Sequence, residues 1–242
     1  MKKHIPNIVT CCNLISGCIA TVFAICGVPE MALLFIILGA VFDFFDGMTA
    51  RLLHVSSEIG KELDSLADDI TFGVAPASIL FWYLNVIDYP MVLEPIRYYI
   101  PFTAYIISAF SALRLAKFNL DTRQTTSFIG LPTPANALFW GSLIVAFGDQ
   151  MAFSSLTMPL LLVGIVVSSW LLVAEIPMFA LKFKQWGFAG NEIKYCFVIF
   201  SAIALIAGIV YGIDSEDYSK FYAGFAAIII AYIIVSVATQ KK

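Results

Sequence analysis

Eight long apolar stretches constrain the fold of this chain more than any other feature of its sequence. A helix needs about 20 mostly apolar residues to cross a bilayer, so each stretch is a candidate transmembrane helix. The sequence therefore predicts an all-α, polytopic integral membrane bundle of about eight transmembrane helices, folded as a single transmembrane domain over residues 1–242. The candidate spans cover approximately residues 10–27, 31–53, 65–87, 97–118, 131–148, 156–180, 194–213 and 219–238.

Composition excludes several other classes of protein. Of the 242 residues, 60% are hydrophobic and only 13% are charged, whereas soluble domains carry about 25% charged residues. This balance excludes an ordinary soluble enzyme and a disordered chain. A net charge of −3 gives no reason to expect a nucleic-acid partner. The five cysteines contain no CxxC pair, which favours structural thiols over a metal site.

Basic residues are distributed unevenly between the two ends of the predicted spans. With eight spans, 12 of the 14 Lys and Arg residues lie on the side of the termini, and only Arg97 and Lys220 lie on the other. The positive-inside rule assigns the richer side to the cytoplasm. We therefore expect a protein of the cell inner membrane, with both termini and any site beside them in the cytoplasm.

Acidic residues recur at helical spacing where the second apolar stretch ends and the third begins. Charges in apolar spans are costly and mark functional sites by default. Close carboxylates cannot all stay ionised without cations, and oxygen ligands suit hard divalent metal ions. Two such metals suit phosphoryl or pyrophosphate chemistry, and the interleaved small residues clear space for a bulky ligand. Two helix faces carry the pattern: Asp43, Asp46, Gly47 and Ala50 on the first, and Gly60, Asp64 and Asp68 on the second.

Two other interpretations of these acids stay open at this stage. Juxtamembrane aspartates can simply form salt bridges with neighbouring cations such as Arg51 and Lys61. Alternatively, an acid-lined site in a membrane bundle can carry Mg²⁺ or protons across the bilayer. Transport requires polar residues along the whole path, whereas these acids cluster towards one end.

The acidic pattern resembles the signature of the CDP-alcohol phosphotransferases. The residues read D-x-x-D-G-x-x-A-R, then eight residues, then G-x-x-x-D-x-x-x-D, from Asp43 to Asp68. The resemblance implies a homodimeric membrane protein with a helical core of six spans. We therefore expect a catalytic core over about residues 5–180 and additional helices over about 194–238.

The resemblance also implies roles for individual residues. Members of the family join an alcohol to a CDP-activated lipid and release CMP, using two divalent metal ions, Mg²⁺ or Mn²⁺. Asp43, Asp46 and Asp64 would hold one metal, while Asp43, Asp64 and Asp68 would hold the other. Asp68 would also be the general base. Residues at positions that contact the CDP-lipid would be Gly47, Ala50, Arg51, Ser57 and Gly60.

Less specific local sequence patterns indicate which branch of the family this chain resembles. The segments 5–13, 60–77, 114–119 and 128–135 together resemble the membrane-embedded (type II) phosphatidylserine synthases. This resemblance implies that CDP-diacylglycerol and L-serine are the substrates and that phosphatidylserine and CMP are the products. Glycerol 3-phosphate or inositol phosphate as the acceptor remains an alternative within the family.

Candidate residues for the acceptor lie in the fourth span and the loop after it. The serine carboxylate requires a cation, so we expect Arg114, Lys117 and Asn119 to form the acceptor or phosphate pocket. Simple anchoring by the positive-inside rule is an almost equally good explanation for Arg114 and Lys117. Glu175, in the sixth span, is assigned no catalytic role.

A small-polar stripe on the first span is the last candidate feature. Thr10, Asn13 and Gly17 are spaced i, i+3 and i+7, and Thr10 and Asn13 are candidate contacts for the cytidine. Helix–helix packing through small and polar residues explains the same stripe equally well.

Overall fold

The computed structural model describes residues 4–55, 57–121, 128–154, 156–179, 187 and 191–239. Nine α-helices lie within these residues: α1 (His4–Ile25), α2 (Pro29–Leu52), α3 (Glu58–Asp68), α4 (Ala75–Val86), α5 (Ile106–Leu120), α6 (Thr133–Ala152), α7 (Thr157–Val173), α8 (Glu192–Asp214) and α9 (Ala223–Ala238). A π-helical turn, Asp69–Val74, joins α3 to α4. Short 3₁₀ helices cover Glu94–Ile96, Ile100–Tyr105 and Tyr218–Tyr222, and two short strands are β1 (Phe128–Ile129) and β2 (Pro177–Met178).

Among the described residues, four helical segments are long and apolar enough to cross a membrane, so the chain is a helical integral membrane protein. They are His4–Ile25, Pro29–Leu52, Glu192–Asp214 and Tyr218–Ala238, and Thr157–Val173 is a shorter apolar helix. The third predicted span is broken into α3, the π turn and α4, and the fourth begins as a 3₁₀ helix. Eight crossings therefore stay a prediction.

The main core is built around α4. Eight of its twelve residues are buried, because α1, α2 and α6 all pack against it. Large side chains such as Phe72, Ile79, Leu80 and Trp140 fill this core with almost no exposed surface. The central position of α4 fixes the end of the π turn and, through it, the end of α3.

Two glycines allow the π turn to approach α1 and α2 closely. A Cβ atom on Gly17 would lie 2.8 Å from the Cα atom of Thr71, and one on Gly39 would lie 2.5 Å from Thr71 Cγ2. The Thr71 hydroxyl then donates a 3.1 Å hydrogen bond to the backbone carbonyl of Asn13. This contact holds the C-terminal end of α3 against α1.

The strands β1 and β2 pair antiparallel and join the start of α6 to the end of α7. We call segments 128–131 and 171–178 the clip. Backbone bonds of 2.9 Å run from Gly130 N to Ile176 O and from Leu131 N to Leu171 O. Gly130 has φ +77°, and a Cβ atom there would lie 2.5 Å from the carbonyl oxygen of Leu172. Only glycine therefore fits this turn without strain.

Side-chain hydrogen bonds attach the segment between α8 and α9, and α9 itself, to the rest of the bundle. The buried Lys220 Nζ donates to the Ala146 carbonyl at 2.7 Å and lies 3.1 Å from Asp217 Oδ2. Further along α9, Tyr232 donates a 3.0 Å hydrogen bond to the Phe179 carbonyl. A second apolar core forms there around Leu131, Met178, Phe197 and Tyr232.

Candidate active site

Aspartates from α2 and α3 converge where the two helices face each other. One carboxylate oxygen from each of Asp43, Asp64 and Asp68 lies within 4.8 Å of the other two. Helical spacing explains part of the convergence, since Asp64 and Asp68 lie one turn apart on one face of α3. The structure thus brings together the three residues predicted to hold one of the two metal ions.

The donor set of this cluster fits a divalent metal ion. Three partly buried carboxylates repel each other unless a proton or a cation offsets their charge. Asp64 Oδ1 is buried and has no hydrogen-bond partner among the described residues, so it is an acceptor that a cation can use. Carboxylate oxygens are the ligands that Mg²⁺ and similar hard cations prefer. The acidic cluster can therefore bind a metal.

Asp46, the fourth predicted ligand, lies beside this trio rather than in it. Its carboxylate is buried, and its Oδ2 atom accepts a 2.6 Å hydrogen bond from the Thr10 hydroxyl. It remains close enough to Asp43 and Asp64 to interact with both electrostatically. The first span therefore orients a carboxylate of the second span.

Asn13 orients Asp68 in the same way. The amide Nδ2 of Asn13 donates a 3.0 Å hydrogen bond to Asp68 Oδ1, and the Asn13 side chain has no exposed surface. Thr10 and Asn13 thus each hold one aspartate, whereas Gly17 packs against Thr71. The three members of the small-polar stripe have three different contacts.

A cavity of about 260 Å³ opens beside the aspartates and collects most of the predicted CDP-lipid residues. We call it the α2–α3 cavity. Thr10 and Asp46 form part of its wall, together with the predicted residues Gly47, Ala50, Ser57, Gly60 and Asp64. Its lining is Pro6, Asn7, Thr10, Asp46, Gly47, Ala50, Val55, Ser57, Gly60, Lys61 and Asp64.

The small residues of this cavity differ in how much space surrounds them. A Cβ atom on Gly47 would meet nothing closer than Arg51 Nη1 at 3.9 Å, so Gly47 leaves open space for a ligand. A Cβ atom on Gly60 would lie 2.9 Å from Ser57 Oγ, which caps α3 by accepting a 3.0 Å bond from Gly60 N. Arg51 is exposed and is not among the lining residues; its contact with CDP stays a prediction.

Sequence reasoning missed four residues of this lining: Pro6, Asn7, Val55 and Lys61. Asn7 could have been found, because it precedes Thr10 by three positions and so extends the same face of α1. Lys61 donates a 2.8 Å bond to the Asn119 carbonyl. The position of Lys61 therefore depends on α5, which is distant in sequence.

The predicted acceptor residues divide between two places. Arg114 is only 6% exposed, lies within electrostatic range of Asp68, and lines a small second cavity together with the exposed Lys117. We call this the α5–α7 cavity. Asn119 lies outside its lining, and its amide donates to Ser65 Oγ at 2.8 Å. Asn119 thus joins α5 to α3, and a direct part in acceptor binding stays a prediction.

Comparison with known proteins agrees with the motif. The sequence model of the CDP-alcohol phosphatidyltransferase family matches residues 3–179 of this chain. All four aspartates, the α2–α3 cavity and the clip lie within the matched residues. The helices α8 and α9 lie beyond them.

Several curated relatives share this region. The CDP-diacylglycerol–serine O-phosphatidyltransferase of Bacillus subtilis is 38% identical over 132 residues, which are 54% of this chain and 70% of the relative. The protein of the same name from Helicobacter pylori is 31% identical over 187 residues, which are 75% of this chain and 74% of the relative. The protein of the same name from Saccharomyces cerevisiae is 37% identical over 150 residues, which are 54% of this chain and 50% of the relative.

Proposed function

The chain belongs to the CDP-alcohol phosphatidyltransferase family, and from this premise we propose that it transfers the phosphatidyl group of CDP-diacylglycerol to the hydroxyl of L-serine. The products are phosphatidylserine and CMP. The observation that carries the proposal is the convergence of Asp43, Asp64 and Asp68 within 4.8 Å of one another beside the α2–α3 cavity. The names of the curated relatives support serine as the acceptor.

The reaction is a direct displacement at phosphorus. The serine oxygen forms a bond to the phosphorus that carries the diacylglycerol, the bond between that phosphorus and the CMP oxygen breaks, and the serine hydroxyl loses its proton. A carboxylate placed beside the acceptor can take that proton as the new bond forms. We assign this step to Asp68. Because Asn13 binds Oδ1 of Asp68, Oδ2 is the oxygen that would accept the proton.

Two divalent cations, Mg²⁺ or Mn²⁺, are the proposed cofactors. Asp43, Asp46 and Asp64 would hold one ion, and Asp43, Asp64 and Asp68 the other. When bound, these ions supply positive charge that offsets the pyrophosphate and the departing CMP. Thr10 would keep the Asp46 carboxylate oriented for this binding through its 2.6 Å hydrogen bond.

The α2–α3 cavity is the proposed site for the cytidine diphosphate. Gly47 and Ala50 leave room along α2, while Ser57 and Gly60 form the turn that begins α3. Thr10 lines the cavity from α1, whereas Asn13 acts on Asp68 and does not line it. Arg51 would pair with a phosphate. Arg114, which lies within electrostatic range of Asp68, and Lys117 would bind the serine carboxylate. Asn119 would hold α5 against α3 through its bond to Ser65.

The proposed setting is the inner membrane, with both termini and the active site in the cytoplasm. The uneven distribution of Lys and Arg residues supports this orientation. We further propose a homodimer whose catalytic core covers about residues 5–180, with additional helices over about 194–238. The region matched by the family model, residues 3–179, is consistent with this division.

An acceptor panel tests the proposed function. Detergent-purified protein is incubated with CDP-diacylglycerol, a divalent metal and one acceptor at a time: L-serine, glycerol 3-phosphate or inositol phosphate. We expect CMP and phosphatidylserine with serine, and little product with the two phosphorylated acceptors. Turnover with glycerol 3-phosphate and none with serine would contradict serine as the acceptor.

A further inference from the structure

The α5–α7 cavity contains side chains of both charges. Arg114 and Lys117 from α5 line it together with Asp121, at the C-terminal end of α5, and Glu175, just beyond α7. The remaining lining is the apolar Ile129, Leu172 and Val173. A site for a dianionic phosphate would be expected to contain cations alone, since each carboxylate would repel the ligand. Two cations and two acids suit a ligand that itself carries both charges.

The clip fixes the position of Glu175. Val173 ends α7, β2 begins at Pro177, and Glu175 lies between them. Hydrogen bonds from Gly130 N to Ile176 O and from Leu131 N to Leu171 O bracket this short segment. Its backbone therefore has little freedom, and the glutamate is held on a rigid support, as a selective binding group requires.

Arg114 supplies the second observation. The residue is 6% exposed, and its Nε atom is buried with no hydrogen-bond partner in the described part of the chain. A buried guanidinium donor without a partner is costly, so its presence in the cavity wall points to an anionic group of a ligand. Arg114 also lies within electrostatic range of Asp68, which connects this cavity to the proposed base.

We propose that the α5–α7 cavity recognises the zwitterion of the acceptor, with Arg114 and Lys117 on its carboxylate and Glu175, assisted by Asp121, on its ammonium. Glu175 is then a specificity-determining residue. This inference rests on the proposed transfer to an amino alcohol and adds the source of its selectivity. An acceptor that carries a phosphate instead of a carboxylate and an ammonium would be repelled by the negative charges of Glu175 and Asp121.

The test compares L-serine with 3-hydroxypropionate, which is serine without its amino group. Both acceptors offer the same primary hydroxyl and a carboxylate, so only the ammonium differs. A charged hydrogen bond contributes about 1.5–3 kcal/mol, which is roughly a 10- to 100-fold change in an equilibrium constant. We expect the unaltered protein to prefer serine by about that factor in kcat/KM. Glu175→Gln should lose most of this preference through a higher KM for serine, while its kcat/KM for 3-hydroxypropionate should stay unchanged.

Glu62→Gln is the matched control, because Glu62 is an exposed glutamate of α3 that lines neither cavity. This variant should leave kcat/KM unchanged for both acceptors. Equal slowing of both acceptors by Glu175→Gln would show a structural role and overturn the inference. If Glu175→Gln does not fold, Asp121→Asn is measured in the same way, and a smaller selective rise in the KM for serine is expected.

The unaltered protein separates the two proposals. Failure to use serine at all would contradict the proposed function. Use of serine with an equal kcat/KM for 3-hydroxypropionate would overturn ammonium recognition alone and leave the function standing.

Discussion

Asn13 of α1 donates a 3.0 Å hydrogen bond from its Nδ2 atom to Oδ1 of Asp68 at the end of α3. The same asparagine accepts a bond from Thr71 through its backbone carbonyl, so it contacts both the end of α3 and the π turn that follows it. Its side chain is fully buried, and the bond fixes the rotamer of the carboxylate. A residue of the first span therefore orients the proposed base.

Replacing Asn13 with leucine should lower turnover while leaving lipid binding largely intact. Leucine has a similar volume but cannot donate the hydrogen bond, which is worth about 1.5–3 kcal/mol when the acceptor is charged. We expect kcat to fall by roughly 10-fold or more, with little change in the KM for CDP-diacylglycerol. Thr21→Val is the control, because within the part of the chain that the structure describes its hydroxyl binds the carbonyl of Gly17 in the same helix and no aspartate. Equal rates in both variants would contradict an orienting role for Asn13.

Thr10 should control the metal requirement through Asp46. Thr10→Val keeps the shape of the side chain and removes the 2.6 Å hydrogen bond to Asp46 Oδ2. Loss of such a supporting contact typically costs 10- to 100-fold in metal affinity or activity. We expect the Mn²⁺ concentration for half-maximal rate to rise by about 10-fold, and Thr10→Ser to restore it. A rise that serine does not reverse would assign the effect to packing.

Gly17→Ala should destabilise the fold. The added Cβ atom would lie 2.8 Å from the Cα and N atoms of Thr71, and backbone atoms cannot rotate away. Overpacking of about 1–3 kcal/mol exceeds the roughly 1 kcal/mol that alanine gains in helix propensity. We expect the Tm in detergent to fall by about 2–8 °C. An unchanged Tm would show that α1 and the π turn do not pack this closely.

Gly47→Ala should have the opposite effect on stability. The nearest atom to its added Cβ would be Arg51 Nη1 at 3.9 Å, so alanine fits and favours the helix. We expect an equal or higher Tm together with a KM for CDP-diacylglycerol raised by several-fold, because the methyl group takes up part of the α2–α3 cavity. Normal lipid kinetics would remove Gly47 from the proposed CDP site.

Helical spacing predicted the aspartate cluster because its residues lie on two helices that follow each other in sequence. Residues one turn apart share a face whatever the tertiary packing, so Asp64 and Asp68 lie side by side. The short connection between α2 and α3 then brings Asp43 close to both, as expected. The orientation of Asp46 towards Thr10 depends on a contact between residues 36 positions apart. Spacing within one helix contains no information about such a contact.

The other features that the sequence did not predict also depend on tertiary contacts or on backbone hydrogen bonding. Glu175 lines the same cavity as Arg114 and Lys117. The pairing of β1 with β2 holds the segment that carries it, and its position in an apolar stretch gave no indication of this. The third predicted span contains a π turn at Asp69–Val74, since hydropathy reports the polarity of side chains and not the register of backbone hydrogen bonds. Asn119 binds Ser65 because α5 packs on α3.

The central claim is that the aspartates of α2 and α3 form a metal-dependent transfer site. It is tested most directly by measuring Mn²⁺ binding and CMP release on the same samples of unaltered protein, Asp43→Asn and Asp88→Asn. Asp88 is an exposed acid that lies outside the cluster and supplies the matched control.

We expect the unaltered protein and Asp88→Asn to bind Mn²⁺ and to release CMP only when CDP-diacylglycerol, serine and metal are all present. Asp43→Asn should bind Mn²⁺ weakly and lose activity by about 10²-fold or more, because Asp43 is assigned to both ions. Near-normal CMP release by Asp43→Asn, or full activity of the unaltered protein after metal removal by EDTA, would contradict the account.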